Sequence, residues 1–251
     1  MRISQLCLAF VVFGPGIVLA DGRTNTNNIA DDVIYAEDAH GTFYCGCQSD
    51  SHYNDNGSGH LTEQGLEACG YIAPQRSQAL STELQWEHIV PASRMPARQM
   101  TCWTDHPPDT SGRENCQDTD PVAQQMIFDL YNIVPSIGQV NNHRDNNYYG
   151  EIDEEPSEYG TCQIQSSGGI FEPPQCKRGD IARVWFYMEQ VYGVEIGQLQ
   201  RAMFERWSDE DPVSPWESER ARRIAEYSRV INPFVDGVEP DPAGSCTWEV
   251  E

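Results

Sequence analysis

The stretch "LQWEHIVPAS" at residues 84–93 sets a glutamate beside a histidine inside a run of strand-forming residues. A neutral imidazole can take up a proton near pH 7, so His88 is suited to acid–base chemistry. Taken alone, however, such a histidine is more often held by hydrogen bonds in the core, with Glu87 as a satisfied neighbour. The dipeptide is therefore either a core pair or part of a site.

The element that carries this pair must be irregular if both side chains serve one site. Leu84, Trp86, Ile89 and Val90 have the composition of a buried strand, and Pro91 ends the segment. Neighbouring side chains of a regular strand point to opposite faces. We therefore expect the strand to end, bend or bulge at residues 87–88.

A second segment, "NIVPSIGQVNNHRDN" at residues 132–146, has the features of a partner. Ile133 and Val134 predict a short strand that Pro135 stops. Ser136 is predicted to cap a brief helix through Val140 to His143. A strand, an intervening segment, a second strand and a helix would bring "WEH" close to "VNNHR".

The remaining pattern predicts an α+β chain whose C-terminal half is mainly helical. We expect a short helix over 31–39, a strand at 43–44, a polar loop over 48–60, an irregular but ordered stretch over 95–120 and a helix over 121–131. Helical spacing recurs at 181–191 and 195–207. "SPWE" predicts a capping box of Ser214 and Glu217 that starts a helix ending near 230. The acidic run 151–160 is typical of a solvated loop, with a calcium site as the alternative.

The first twenty residues have the features of a secretory signal peptide. Arg2 precedes a short apolar stretch, and "VLA" stands before Asp21. The apolar stretch is too short to span a bilayer, and no later segment has eighteen consecutive apolar residues. We assign 1–20 to the signal and 21–251 to one domain of an exported protein, periplasmic or secreted.

Eight cysteines remain beyond Cys7 of the signal: Cys45, Cys47, Cys69, Cys102, Cys116, Cys162, Cys176 and Cys246. An even number in an exported chain predicts four disulfides, whose pairing stays open. A structural zinc site is the alternative, but the one close pair is spaced C-x-C rather than C-x₂₋₄-C.

The formal net charge of −23 argues against a simple electrostatic footprint for nucleic acid. An acidic surface keeps a protein soluble and is also typical of adaptation to high salt. Any binding of a polyanion would need a local arginine cluster or a metal ion.

Motifs along nearly the whole mature chain resemble the endonuclease I family of periplasmic or secreted sugar-nonspecific nucleases with a ββα-metal (His-Me finger) site. In chain order they are "FYCGC" (43–47), "CGY" (69–71), "WEHIVPA" (86–92), "CW" (102–103), "GRENC" (112–116), "DLYNIVPSIGQVNNHRDN" (129–146), "RGDIARVWFYM" (178–188) and "NPFV" (232–235). The resemblance implies a ββα-metal core in a helix-rich, disulfide-bonded single domain.

The resemblance also implies a role for each matching residue. His88 stands at the position of the general base, Glu87 and Asn141 at those of the magnesium ligands, and Arg113 at that of the arginine that holds the cleaved phosphate. Each role suits the residue type, because Mg²⁺ prefers oxygen ligands and a guanidinium can bind two phosphate oxygens. Further candidates for contacts with the nucleic-acid backbone are Arg94, Arg98, Arg144 and Arg178.

We accordingly expect a monomeric Mg²⁺-dependent endonuclease, with Mn²⁺ or Ca²⁺ as alternative cations, that cleaves DNA and RNA and leaves 5′-phosphate and 3′-hydroxyl ends. Two alternatives stay open: a catalytically silent extracellular protein that binds nucleic acid or acts as a scaffold, and a phosphodiesterase for another substrate. Two positions depart from the family pattern, since Tyr131 replaces a common histidine and "NNH" at 141–143 replaces "NGD". Either change would bear on metal affinity rather than on the assigned roles.

Overall fold

The computed structural model describes residues 23–36, 41–48, 58–152 and 157–249. The predicted signal peptide, and with it the boundary of the mature domain, lies outside this part of the chain. Among the described residues no helix is long and apolar enough to cross a membrane.

The described residues form two small sheets among helices, in an α+β arrangement. The helices are α1 (Arg23–Ile29), α2 (Glu63–Ala68), α3 (Thr101–Thr104), α4 (Gly112–Thr119), α5 (Pro121–Ile127), α6 (Gly138–Arg144), α7 (Arg178–Tyr192), α8 (Gln198–Glu210) and α9 (Pro215–Ser228). The strands are β1 (Ser58–His60), β2 (Glu83–His88), β3 (Ile133–Ile137), β4 (Tyr148–Tyr149), β5 (Gln165–Ser167) and β6 (Ile170–Glu172).

The first sheet joins the two segments singled out from the sequence. Its order is β1-β2-β3, and β2 pairs with β3 in antiparallel register, Glu87 opposite Val134 and His88 opposite Ile133. Helix α6 follows β3 directly and contacts both strands. The predicted succession of strand, intervening segment, strand and helix is therefore confirmed.

Pro135 does not stop β3, contrary to the prediction, because it lies on the outer edge of the sheet. The Pro135 carbonyl accepts a hydrogen bond from the Phe43 amide at 2.8 Å. In an antiparallel strand the nitrogen and the carbonyl of one residue face the same side. The missing N–H of Pro135 therefore faces away from β2, and the ladder between the strands is not interrupted.

Ser136 belongs to β3 and does not cap α6, so this prediction was also wrong. The N-cap residue of α6 is Ile137, which makes no side-chain capping bond. Ser136 is buried, opposite Gln85 of β2. The pairing of the two strands outweighs the local capping preference of serine.

Several N-terminal predictions differ from the structure. The predicted helix over 31–39 begins earlier, as α1, and continues through a π-helical turn over Ala30–Ile34; residues 37–40 lie outside the described part. Phe43 and Tyr44 form a turn, not a strand. Within the predicted loop over 48–60, residues 58–60 form β1, and 49–57 are not described.

The stretch over 95–120 is ordered as predicted but is not irregular, since it contains α3 and α4. Ser111 caps α4 through a capping box with Glu114 that the sequence analysis overlooked. The predicted helix over 121–131 ends at Ile127. A short 3₁₀ turn over Leu130–Asn132 then leads into β3.

The three C-terminal helices are confirmed as α7, α8 and α9. The Ser214 hydroxyl accepts the Glu217 amide at 3.0 Å, as expected of an N-cap. The Glu217 carboxylate does not reach back to complete the capping box; it binds the guanidinium of Arg183 at 2.6 to 3.0 Å. A buried ion pair has replaced the local contact.

Four disulfides hold the fold, and their pairing could not be deduced from the sequence. They join Cys45 to Cys162, Cys47 to Cys69, Cys102 to Cys116 and Cys176 to Cys246. All eight cysteines of the mature chain are paired, which excludes the zinc alternative for them.

Candidate active site

An open pocket of about 500 Å³ lies where β2, α4 and α6 meet. Glu87 and His88 at the end of β2 line it together with Arg113 of α4 and Asn141 of α6. The four side chains that the family resemblance singled out, which are spread over 55 positions of the sequence, thus share one cavity.

The imidazole of His88 is held in one tautomer. Its Nε2 lies 2.7 Å from the carbonyl oxygen of Ile127. A carbonyl can only accept, so Nε2 carries the proton and donates it. The lone pair of the neutral ring is therefore on Nδ1, which is the basic atom.

Strand β2 ends at His88, which agrees with the expectation that the strand ends, bends or bulges at residues 87–88. Ile89 and Val90 form a bend directly after β2. The buried side chain of Asn132 replaces the next step of the ladder, since its Oδ1 accepts the Val90 amide at 2.6 Å and its Nδ2 donates to the Val90 carbonyl at 3.0 Å. This clamp sets the point at which the chain leaves the sheet and lets the pocket extend around the end of β2.

Glu87 is buried, with 3% of its surface exposed. Its Oε1 lies 3.4 Å from Nε of Arg144, also buried, without hydrogen-bond geometry. Burial raises the pKa of Glu87 to about 7, although the charges of Arg144 and, more weakly, Arg113 act to lower it. The carboxylate is thus buried with a charge that its protein neighbours compensate only in part.

The site fits the divalent cation that the resemblance implies. Oε1 of Glu87 is a buried oxygen with no hydrogen-bond partner, and an oxygen of this kind is a ready ligand for a cation. Asn141 lines the same pocket and has its Nδ2 bonded to Oε1 of Gln85 at 3.0 Å, so its Oδ1 is the atom left for a ligand. The described residues contain no cluster of three or more His, Cys, Asp or Glu side chains that could hold a metal. A centre here would therefore use one carboxylate and one amide, with water completing the shell.

Arg113 is placed by a rigid local unit. It is the second residue of α4, whose start is fixed by the Ser111–Glu114 capping box. The Cys102–Cys116 bond ties α4 to α3, and a Cβ on Gly112 would lie only 2.3 Å from the carbonyl oxygen of Trp103. Close packing of α4 on Trp103, another residue lining the pocket, thus directs Arg113 toward Glu87 and His88.

The four further arginines lie in different surroundings. Arg94 lies beside the pocket, stacked on Tyr148 at 3.9 Å from the ring centroid and bonded to the Asn146 carbonyl. Arg98 is exposed and does not line the pocket. Arg178 binds Glu151 and Glu172 and is likewise outside it.

Arg144 lines the pocket but is 1% exposed. Its guanidinium donates to the carbonyls of Ile89 and Asp145 and stacks on Tyr149. These contacts place Arg144 behind Glu87 as a buried counter-charge, whereas the sequence analysis offered it as a candidate contact with the nucleic-acid backbone.

The departures from the family pattern differ in position: Asn142 of "NNH" lines the pocket, whereas Tyr131 and His143 do not. Tyr131 is buried and packs on Tyr187 at 4.7 Å between ring centroids, outside the pocket. His143 is a core histidine, bonded through Nδ1 to the Tyr159 hydroxyl and through Nε2 to the Arg76 carbonyl. Neither of these two side chains contributes a group to the pocket around Glu87.

The sequence analysis missed Gln85 and Asn132, which hold Asn141 and the end of β2. An amide that bonds across two elements has no local pattern. One signal was available for Gln85, since it lies two residues from Glu87 and therefore on the same face of the strand.

The chain is a nuclease, an enzyme that hydrolyses phosphodiester bonds. The profile of the family "Endonuclease I" matches residues 23–239, and the chain belongs to that family.

Three relatives each match more than three quarters of the chain. An extracellular deoxyribonuclease of Aeromonas hydrophila is 34% identical over 238 residues, covering 93% of this chain and 96% of its own. A periplasmic deoxyribonuclease of the same species is 34% identical over 83% of this chain and 84% of its own. Endonuclease-1 of Buchnera aphidicola subsp. Acyrthosiphon pisum is 34% identical over 79% of this chain and 75% of its own.

Proposed function

We propose that this protein is an exported, Mg²⁺-dependent endonuclease that cleaves DNA and RNA with little sequence preference and leaves 5′-phosphate and 3′-hydroxyl ends. β2, β3 and α6 constitute its ββα-metal core. The observation that carries the proposal is the imidazole of His88, fixed with Nδ1 as its basic atom in a pocket shared with Glu87, Asn141 and Arg113. The names of the relatives, extracellular and periplasmic deoxyribonucleases, support DNA as a substrate and export as the destination.

In the proposed reaction Nδ1 of His88 removes a proton from a water molecule as that water attacks phosphorus. The 3′-oxygen leaves in line with the attack, and the phosphate remains on the 5′ end of the product. The Ile127 carbonyl stabilises the imidazolium through the Nε2–H bond. An imidazole is suited to this step, because the ordinary pKa of the side chain lies close to neutral pH.

Arg113 would bind the non-bridging oxygens of the scissile phosphate. Its planar guanidinium presents paired donors and keeps its charge at any working pH. Glu87 and Asn141 would hold the Mg²⁺ ion. When bound there, the ion would neutralise charge on the phosphate and on the leaving oxygen.

The cation and Arg113 also account for binding of a polyanion by a chain of net charge −23. Positive charge is needed only where the phosphate lies, and Arg113 and the cation would supply it there. We propose that the enzyme acts as a monomer, because all four groups come from one chain.

The test is cleavage of a plasmid and of an RNA by the oxidised protein, with and without Mg²⁺, for the parent and for His88→Ala. Removal of a general base is expected to slow cleavage about 10²- to 10⁴-fold. The matched control is His106→Ala, because His106 is exposed and outside the pocket. End-labelling of the products before and after phosphatase treatment identifies the 5′-phosphate.

Cleavage by His88→Ala at the parental rate would remove the basis of the mechanism. Binding of DNA without scission under any divalent cation would favour the silent binding protein instead. Turnover of small phosphodiesters but not of polymers would favour a phosphodiesterase for another substrate.

A further inference from the structure

The amide of Asn141 must present the correct end to a cation. Its Oδ1 can bind a metal, whereas its Nδ2 carries two protons and cannot. The two ends are nearly the same size, so packing alone does not select between them. The choice depends on hydrogen bonds to the amide.

Gln85 supplies the selecting bond. Its Oε1 lies 3.0 Å from Nδ2 of Asn141 and accepts from it. With its NH₂ group engaged by Gln85 on β2, Asn141 is left with Oδ1 as its ligand atom.

Gln85 is itself an amide, and Glu83 sets its orientation. Nε2 of Gln85 donates to Oε2 of Glu83 at 2.7 Å. An ionised carboxylate can only accept, so the NH₂ group of Gln85 must be the end that faces Glu83. The chain of donors therefore runs in one direction, from Asn141 to Gln85 to Glu83.

The packing of α6 against β2 leaves space for this series of hydrogen bonds. Glu83, Gln85 and Glu87 alternate along β2 and lie on one face, which α6 contacts. A Cβ on Gly138, the first residue of α6, would lie 3.0 Å from Cδ of Gln85 and from Cβ of Glu83. Glycine at this position lets the Gln85 side chain lie between strand and helix.

We propose that Gln85, oriented by Glu83, is a positioning residue that holds the Asn141 amide with its oxygen toward the metal. This rests on the proposed function, in which Asn141 is a metal ligand. Gln85 need not touch the substrate or the metal. Its effect is on the population of Asn141 side chains that can bind the ion, and hence on metal affinity.

The test measures binding of Mn²⁺ by calorimetry, in the absence of nucleic acid, for the oxidised parent and for Gln85→Met. Methionine has nearly the same length but neither accepts from Asn141 nor donates to Glu83. We expect metal binding to weaken about 10- to 100-fold, the usual cost of losing a group that orients a metal ligand. Cleavage should fall at low metal concentration and recover when Mg²⁺ is raised.

A double-mutant cycle separates positioning from a general structural effect. In an Asn141→Ala background, Gln85→Met should weaken Mn²⁺ binding less than about twofold further, because the group it orients is absent. Equal weakening in both backgrounds would overturn the proposal, and so would parental affinity in Gln85→Met. Glu83→Leu is the second variant if Gln85→Met does not fold. It should weaken Mn²⁺ binding less than Gln85→Met does. Parental affinity in Glu83→Leu would again contradict the proposed series of hydrogen bonds.

The cycle also distinguishes this inference from the proposed function. If Asn141→Ala itself binds Mn²⁺ like the parent, the assigned metal site is wrong. If Asn141→Ala weakens binding and Gln85→Met does not, only the role of Gln85 is wrong.

Discussion

Glu87 and His88 are consecutive residues with unlike surroundings, and this difference allows them to take unlike roles. Glu87 is buried against Arg144, whereas His88 is only partly buried and is tied to the Ile127 carbonyl. Glu87 provides a desolvated oxygen that can bind a cation, and His88 provides a base with a fixed tautomer. Both line the pocket because β2 ends at His88 and the chain bends at Ile89.

Replacement of Arg113 tests the role of a single residue of the pocket directly. Arg113→Ala should lower kcat/KM on plasmid DNA about 10²- to 10³-fold, because a preorganised donor to the developing charge is lost. Arg113→Lys should recover only part of the loss, since an ammonium does not offer the paired geometry of a guanidinium.

The control is Arg98→Ala, which removes an exposed arginine from the same region but outside the pocket. It should cleave within about twofold of the parent, because a single exposed charge contributes little. Equal losses in the two alanine variants would show that only the net charge of the region matters.

At the scale of elements, the unit of α3, α4 and their disulfide carries Arg113 to the pocket. The bond between Cys102 and Cys116 spans 14 positions, and that between Cys176 and Cys246 spans 70. Trp103 and Arg113, which lie close in sequence to the first pair, line the pocket, whereas no residue adjacent to the second pair does. The two bonds should therefore differ in what their loss affects.

The paired variants Cys102→Ser/Cys116→Ser and Cys176→Ser/Cys246→Ser make the comparison. Each should lower the free energy of unfolding by about 3 to 4 kcal/mol, measured by urea denaturation. Only the first should also slow cleavage under conditions where both variants are folded, because only the first releases the helix of Arg113. Parental cleavage by a folded Cys102→Ser/Cys116→Ser variant would contradict this account of the α3–α4 unit.

A second feature at this scale is the buried ionic cluster that joins α7, α9 and the C-terminal segment. Its two cations, Lys177 and Arg183, face four carboxylates, those of Asp180, Asp211, Glu217 and Glu249. The carboxylates outnumber the cations, so a proton should remain on the cluster near neutral pH. Burial, reinforced by the charge of Asp180, raises the pKa of Glu217 to about 8 and that of Asp211 to about 7.

This cluster predicts a loss of stability at high pH. The folded chain holds protons on Glu217 that the unfolded chain releases above about pH 4.5, so the free energy of unfolding should fall as the pH rises toward about 8. This fall is expected between about pH 5 and about pH 8.5 in urea denaturation.

Glu217→Gln is the matched variant, because a neutral amide can still accept from Arg183. Its unfolding free energy should depend less steeply on pH over the same window. Stability that stays constant between about pH 5 and about pH 8.5 in the parent would show that these carboxylates are ionised throughout.

At the scale of the whole molecule, the net charge of −23 sets the response to salt. Like charges repel across the acidic surface, and salt screens them beyond a Debye length of about 10 Å at 0.1 M. The melting temperature should therefore rise by several degrees between about 0.05 and 0.5 M NaCl. Sucrose at equal osmolality is the control, since it does not screen charge; an equal rise in both would point to solvent exclusion instead.

Salt should act on the substrate in the opposite direction. Contacts with phosphate weaken as salt rises, because the counterions released on binding enter a more concentrated solution and gain less entropy. The rate of cleavage at subsaturating DNA should therefore pass through an optimum as the salt concentration is raised. Salt stabilises the fold but weakens the contacts with the substrate.

The sequence by itself determined the α+β class, the C-terminal helices, the number of disulfides and, through the family resemblance, four of the residues that line the pocket. These features depend on local periodicity, on composition and on motifs whose residues lie close together in the chain. Ser214 and the stripe of α7 are examples, since each of them acts within a few residues of its own position.

Only the tertiary structure decided which cysteines pair and that Pro135 and Ser136 belong to a strand. It also showed that Arg144 is a buried counter-charge, and that Gln85 and Asn132 hold Asn141 and the end of β2. Pro135 fits β3 because its nitrogen faces away from β2, and Glu217 leaves its capping box because Arg183 lies opposite it. The physical reason is the same in each case. A hydrogen bond or ion pair between elements far apart in the chain outweighs a local preference of about 1 kcal/mol, and the sequence does not display that partner.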